Sequence, residues 1–209
     1  MSGETGLRER KKQRMYQNVS ETAIELFLRR GFDQVSVAEV AEAAEISKPT
    51  LFRYFPAKED LALYRFADHE DEAARVVTGR EAHQSPLGAL HEHFVTGLRR
   101  RDPVTGLNDD HDVLGFHDLL YGTPSLVARL HGYQHRSEEA LARALAEAGP
   151  GGLEARLAAG QIITVQRILA EDNWHRIHAG SNATRLLGSA VRAANSAYGQ
   201  LRDGLRPYA

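Results

Sequence analysis

The chain has no cysteine in its 209 residues, which excludes disulfides, thiolate nucleophiles, cysteine-based zinc sites and thiol redox sensing. Long apolar runs are missing as well. No stretch approaches the ~20 residues needed to cross a bilayer, and Met1-Ser2-Gly3-Glu4 has no apolar run behind it to act as a leader. A cytoplasmic protein with no membrane partner is the expectation. Alternating apolar and polar positions are absent over any useful length, which argues against strands. Composition nevertheless supports packing, because 42% hydrophobic and 26% charged residues suffice for one or two cores and are unlike a disordered chain.

What the chain has is helical periodicity punctuated by proline and glycine, and its most informative stretch is 36–55, SVAEVAEAAEISKPTLFRYF. This reads as two short helices joined by a tight turn. Ser36 can cap the first, and Glu39, three residues on, can complete a capping box. Val40, Ala41 and Ala44 then share one face, with Ala41 small where two helices must cross and Ile46 plugging the turn. Ser47 can cap the second helix, with Lys48 and Pro49 in its first turn, where no amide is needed. Leu51, Tyr54 and Phe55 fall on its inner side; Thr50, Phe52 and Arg53 are left facing outward. Taken alone, the pair could be an ordinary amphipathic hairpin. Cap, crossing residue, plug and first-turn proline in one register point instead to a helix presented to DNA.

Ala41, Ile46, Ser47, Leu51, the Phe-Arg-Tyr-Phe run from Phe52, and Lys58-Glu59 resemble the DNA-binding domain of the TetR family of bacterial regulators. Upstream, Val19, Ala23, Ile24, Phe27 and Leu28 recur at helical spacing and end at Gly31-Phe32, like that family's first helix. The likeness covers about the first third of the chain and is strongest over about residues 14–66. Beyond Phe66 no effector-specific subfamily is recognisable. Glu45 departs from the pattern, since the family usually has glycine there. A Cβ in a left-handed turn costs about 1–2 kcal/mol, so the turn is either strained or shaped differently.

A formal net charge of −2 suits DNA poorly, but phosphate attraction depends on where charge sits. Arg8, Arg10, Lys11, Lys12 and Arg14 face a single anion, Glu9, within seven residues. Ahead of a reading unit, such a run is expected to act as an arm along the backbone or in the minor groove, with Arg10 and Lys11 as contacts. Ser36, Lys48, Tyr54 and Lys58 are placed for phosphate contacts, and Ser47 and Pro49, at the start of the second helix, are further DNA-binding candidates. Thr50, Phe52 and Arg53 face the bases, Arg53 being the candidate for guanine because its fork matches O6 and N7.

After Phe66 the pattern remains helical. One helix is expected from Lys58 to about Gly79, then others over about 85–101, 110–121, 124–148, 153–174 and 182–205. The expected fold class is all-α with about nine helices: a three-helix helix-turn-helix domain over 1–66, and an effector-binding and dimerisation domain over 67–209. Leu187, Ala190, Val191, Ala194, Ala197, Tyr198 and Leu201 form one stripe on the last helix; Leu157, Ile162, Val165, Ile168 and Leu169 recur on its neighbour. The family resemblance implies that this pair meets its two-fold mate in a homodimer, with Leu157, Val165, Leu187, Val191, Ala194 and Tyr198 at the interface. Two copies of a short reading helix can then address a palindrome. Phe94, Phe116, Tyr121 and Trp174 are candidates to line an effector pocket, core packing being the competing use. A small apolar or amphipathic effector is expected.

All ten histidines lie at or beyond His69. His91 and His93 are two apart and point in different directions on a helix. His131 with His135, and His175 with His178, could share a metal ion. Asp109, Asp110, His111, Asp112, His117 and Asp118 could form a hydrolytic site. No motif such as H-E-x-x-H accompanies them. The sequence is therefore read as a ligand-responsive DNA-binding repressor, not an enzyme, with no cofactor and no bound metal. The alternative is a metal-responsive regulator or a metal-dependent helical enzyme using residues 109–118.

Overall fold

The computed structural model describes residues 2–67 and 69–209, with side chains described from Gln13 onward and not at Ala67. Among the described residues there are ten α-helices, two single-turn 3-10 helices and no strand. The α-helices are α1 (Ser2–Arg30), α2 (Val37–Ala43), α3 (Lys48–Tyr54), α4 (Lys58–Ala67), α5 (Glu72–Thr78), α6 (Pro86–Arg100), α7 (His111–Gly122), α8 (Pro124–Ala148), α9 (Leu153–His178) and α10 (Ala183–Gly204).

The expected single helix from Lys58 to Gly79 is in fact two, α4 and α5, which raises the count from nine to ten. No proline or glycine marks the break. It falls in a polar run dominated by Asp and His, residues that favour turns and caps over helix interiors. A distant contact then fixes the second piece: the Glu72 carboxylate accepts from His69 Nδ1 at 2.8 Å and from His93 Nε2 of α6 at 3.1 Å.

Two compact units result, Met1–Asp68 with Gly115–Gly132, and His69–Leu114 with Tyr133–Ala209. The expected boundary after residue 66 lies slightly further on, and the first unit also takes back residues 115–132. This return was hidden because the helical periodicity of α7 and α8 runs unbroken through both dividing points.

In the first unit, Val19, Ala23, Ile24 and Phe27 form the buried face of α1, which packs on α2 and α4, and Val40, Ala41, Leu51, Phe55, Leu61 and Ala62 are buried in the same unit. Each large side chain so buried contributes about 1.5–3 kcal/mol. Ser20 Oγ donates to the Leu61 carbonyl at 2.7 Å, tying α1 to α4 inside this core. Phe116 of α7 is buried beside the Phe66 ring, 6.1 Å between centroids.

The second unit is built on α6 and α10. Leu87, Leu90, Phe94 and Leu98 of α6 pack with Leu186, Ala190, Ala194, Tyr198 and Leu201 of α10. Ala155, Ala158, Ala159 and Ile162 let α9 approach closely. Between α6 and α7 the chain turns at Gly106, whose φ is +68° and whose α-carbon lies so near α9 that a Cβ would overlap the Ala170 carbonyl oxygen. Buried Asn173 donates to the Thr105 carbonyl at 3.0 Å, fastening the same turn.

The α9–α10 expectations need correction at two positions. Ala194 and Tyr198 are fully buried in their own subunit. Tyr198 donates to the Leu90 carbonyl at 3.3 Å and accepts from Gln166 at 2.8 Å, and burial pushes its hydroxyl pKa strongly upward. Spacing cannot tell a stripe facing α6 from one facing a second copy. Val165, Leu187 and Val191 are half-buried against the core. Leu157 and Ile168 of α9 expose 56% and 52% of their surface, and Leu153 is exposed too.

The four effector candidates are divided between the units. Phe116 and Tyr121 lie in the first, Phe94 and Trp174 in the second. Phe94 is buried at 6.3 Å from the Tyr198 ring, and Trp174 packs against His175 and His178. A groove of about 280 Å³ in the second unit is lined by Val76, Arg80, Glu92, His93 and Thr96 among others, and by none of the four aromatics.

Candidate DNA-binding interface

The reading helix α3 is positioned by short-range hydrogen bonds that follow from its sequence. Glu39 N–H donates to Ser36 Oγ at 3.2 Å and Ser36 N–H donates to Glu39 Oε2 at 2.7 Å, so the capping box is complete. Glu39 also accepts from Arg30 of α1 at 2.8 Å. The Ser36 backbone bond, the Ser36 hydroxyl and Arg30 hold its carboxyl down at about 2. One side chain therefore caps α2 and fastens it to the end of α1.

Glu45 occupies the turn with φ of 55°, a left-handed conformation. Of the two alternatives left by the sequence, the strained turn is the one adopted. The Ile46 amide donates to the Ala41 carbonyl at 2.9 Å across it, closing α2 in the manner usually given to glycine. Ser47 caps α3 by accepting from the Thr50 amide at 3.3 Å, with Pro49 in the first turn.

On α3, Leu51 and Phe55 are buried as their spacing implies, while Phe52 and Arg53 are exposed. Lys48 lies outside with its ammonium 5.9 Å from the Phe52 ring centroid. Thr50 is half-buried and its hydroxyl is shared with Ser47 Oγ at 2.8 Å. Tyr54 is half-buried, its ring edge-on to Tyr16 of α1 at 5.1 Å.

Lys58 departs furthest from its expected role. Its ammonium donates to the Phe32 carbonyl and sits 4.2 Å from the Phe32 ring centroid. It ties the start of α4 to the chain entering α2, so a role toward phosphate would be additional to this one. Arg10 and Lys11 lie on α1, and their side chains are outside those described. Two other features escaped sequence reading. Tyr16 and Tyr64 stack at 5.2 Å beside the reading helix, and Arg129 of α8 makes a two-pronged ion pair with Asp60, at 2.8 and 3.0 Å. Asp60 is 7% exposed and also caps α4 by accepting from the Ala57 amide at 3.1 Å. Asp60, in the first turn of α4, was a visible signal for a helix start. Its partner, 69 residues away, was not.

Three of the groups in the competing metal readings are engaged in capping or ion pairing. Asp109 accepts from the Asn182 side chain and the Ala183 amide, capping α10; Asp110 accepts from the Asp112 amide at the start of α7. His135 pairs with Glu139 at 3.4 Å. Among the described residues no group of three or more potential ligands is arranged for a metal ion.

A paired-helix unit with α1 behind it, a capped reading helix and an exposed Phe52-Arg53 edge is the architecture to which known proteins can be compared. The model of bacterial regulatory proteins, tetR family, matches residues 20–64. Over these residues the chain is similar to that family. The transcriptional regulator TcmR of Streptomyces glaucescens is 34% identical over 136 residues, 64% of this chain and 58% of that protein. The chain thus matches little more than half the length of that relative. Among solved structures, NalD of Pseudomonas aeruginosa, the secondary repressor of the MexAB-OprM multidrug efflux pump, has a TM-score of 0.54 at 15% identity, covering 90% of this chain and 97% of that one. FadR of Bacillus subtilis, in complex with stearoyl-CoA, has a TM-score of 0.51 at 16% identity, covering 86% and 97%. Both share the fold. No described helix is long and apolar enough to cross a membrane.

Proposed function

We propose that the protein is a cytoplasmic, homodimeric transcriptional repressor that binds a palindromic operator through α3 and is released by a small apolar or amphipathic effector. It is not an enzyme. The observation that carries this reading is α3 itself, capped, held by Leu51 and Phe55, and presenting Phe52 and Arg53 to solvent. Such a helix fits the major groove with its exposed edge on the bases. Arg53 is assigned the guanine contact. Ser36, Ser47, Lys48, Tyr54 and the Arg10-Lys11 segment are assigned the phosphates, which orient without specifying.

Dimerisation is assigned to the exposed α9 surface of Leu153, Leu157 and Ile168, with Val165, Leu187 and Val191 at its margin. Leu157→Glu should yield a monomer by sedimentation while leaving the helical content intact. Release requires an effector that binds the DNA-incompetent arrangement better than the competent one, since only that difference shifts the equilibrium. The effector class is supported by the fold shared with FadR, which was solved with stearoyl-CoA. The route inferred for release runs through α4, whose first turn carries Lys58 and Asp60.

Selection of duplexes from a random library at a stated salt concentration tests the reading directly. A recovered palindrome with half-sites about 34–36 Å apart, or a multiple, supports it; weak binding with no enriched sequence overturns it. Arg53→Ala should then lower affinity by about 1–3 kcal/mol and relax preference at one base pair per half-site.

A further inference from the structure

Arg53 and Tyr54 are consecutive on α3, about 100° apart around a helix of 3.6 residues per turn, and such neighbours do not ordinarily face each other. Here the Arg53 side chain folds across. Its NH2 donates to Tyr54 Oη at 2.9 Å, and its guanidinium carbon stands 4.8 Å from the centroid of the Tyr54 ring. That ring is itself anchored. It meets Tyr16 of α1 edge-on at 5.1 Å, Tyr16 stacks on Tyr64 of α4 at 5.2 Å, and Phe55 closes the group at 5.3 Å from Tyr16 and 5.8 Å from Tyr64. Arg53, exposed at its tip, is therefore held by a group packed across three helices of the reading unit.

A phenol hydroxyl has one proton to give and lone pairs to accept with. Accepting from Arg53 leaves the Tyr54 proton available, and a DNA phosphate oxygen can only accept. We propose that Tyr54 couples the two kinds of DNA contact, donating its proton to a backbone phosphate while its oxygen holds Arg53 in line with a guanine edge. Tyr54 is then a positioning residue for sequence preference. Hydrogen bonds in a chain polarise one another, so a correctly docked phosphate strengthens the hold on Arg53. A duplex in the wrong register loses both contacts together. The inference rests on the proposed reading of α3 in the major groove and deepens it.

Tyr54→Phe is the informative substitution, because it keeps the ring, its edge-on packing on Tyr16 and the cation–π contact and removes only the hydroxyl. Wild type, Y54F, R53A and the double variant are titrated with the selected palindrome and with duplexes changed at the base pair that R53A relaxes. Thermal unfolding of Y54F serves as the check on folding, and its midpoint is expected to match wild type. Discrimination at that base pair should fall about tenfold in Y54F, the scale of one charge-assisted hydrogen bond. In the R53A background the same change should weaken all duplexes by one common factor. Equal weakening of all duplexes by Y54F in the presence of Arg53, or no change at all, would overturn the coupling. Undiminished preference at every base pair in R53A would overturn the wider assignment of Arg53, whatever Tyr54 does.

Discussion

The two units of this chain are specified in different ways. In the reading unit the decisive hydrogen bonds span three residues, Ser36 with Glu39 and Ser47 with Thr50. In the second unit they join residues far apart, Thr105 with Asn173 and Leu90 with Tyr198, 68 and 108 positions away. Caps and turns of the first kind have their own residue signatures; the second kind depends on a fold already formed. The difference also separates what each unit can tolerate. A local signal can be altered at modest cost, whereas a close approach of distant backbones has no slack.

The largest effect should come from testing that lack of slack. Gly106→Ala places a Cβ at positive φ against the Ala170 carbonyl and should destabilise by about 3–5 kcal/mol, from the left-handed conformation and the overlap together. Chemical denaturation measures it; a loss below 1 kcal/mol would mean the α9 approach yields easily. Next comes the polar lock of longest sequence separation described in the reading unit, Arg129 with Asp60. Arg129→Met leaves the Asp60 carboxylate buried without its guanidinium and should cost about 2–3 kcal/mol. A neutral result would mean that this ion pair adds nothing to the stability of the unit.

The Glu45 turn should respond in the opposite direction. Glu45→Gly relieves a left-handed conformation worth about 1–2 kcal/mol and gives back about 0.5–1 kcal/mol in chain entropy. The net expectation is a gain of about 0.5–1 kcal/mol, read as a raised unfolding midpoint. A lowered midpoint would show that Glu45 makes a compensating contact.

The smallest effects are opposed histidine titrations, one in each unit. His93 has its pKa raised above 6.5, chiefly by the hydrogen bond to Glu72. Its contribution is fully present below 6.5 and is lost as pH rises through the raised value. His117 of the first unit has its pKa lowered by burial. Its contribution is present above 6.5 and is lost as pH falls through the depressed value. Thermal unfolding followed as pH falls from about 8 should show His93→Gln removing a gain and His117→Gln removing a loss. Identical pH profiles for the two variants would contradict this assignment.

How legible the molecule was follows the same division. Ser36, Glu39, Ala41, Ile46, Ser47 and Pro49 announced α2, the turn and α3, because capping chemistry and first-turn proline act within a few residues. Ser85 and Asn182 marked helix starts in the second unit, and Thr123-Pro124 one in the first, for the same reason. The break between α4 and α5 was missed because its cause, Glu72 against His93, is tertiary. Tyr198 was assigned to the wrong surface because an apolar stripe records burial and not the identity of what buries it. Lys58 was visible as a cation at a helix start, but its hold on the Phe32 carbonyl depends on where α1 ends in space.

The Asp60–Arg129 pair has a bearing on modularity. A gene fragment stopping at residue 66 would encode every element proposed to touch DNA and still lack Arg129 and Phe116, stranding a buried carboxylate and baring the ring of Phe66. The reading head is therefore a discontinuous cassette, and moving it onto another sensor means transplanting residues 1–68 and 115–132 together. Sensor grafts joined at a single point would inherit a head missing its keystone.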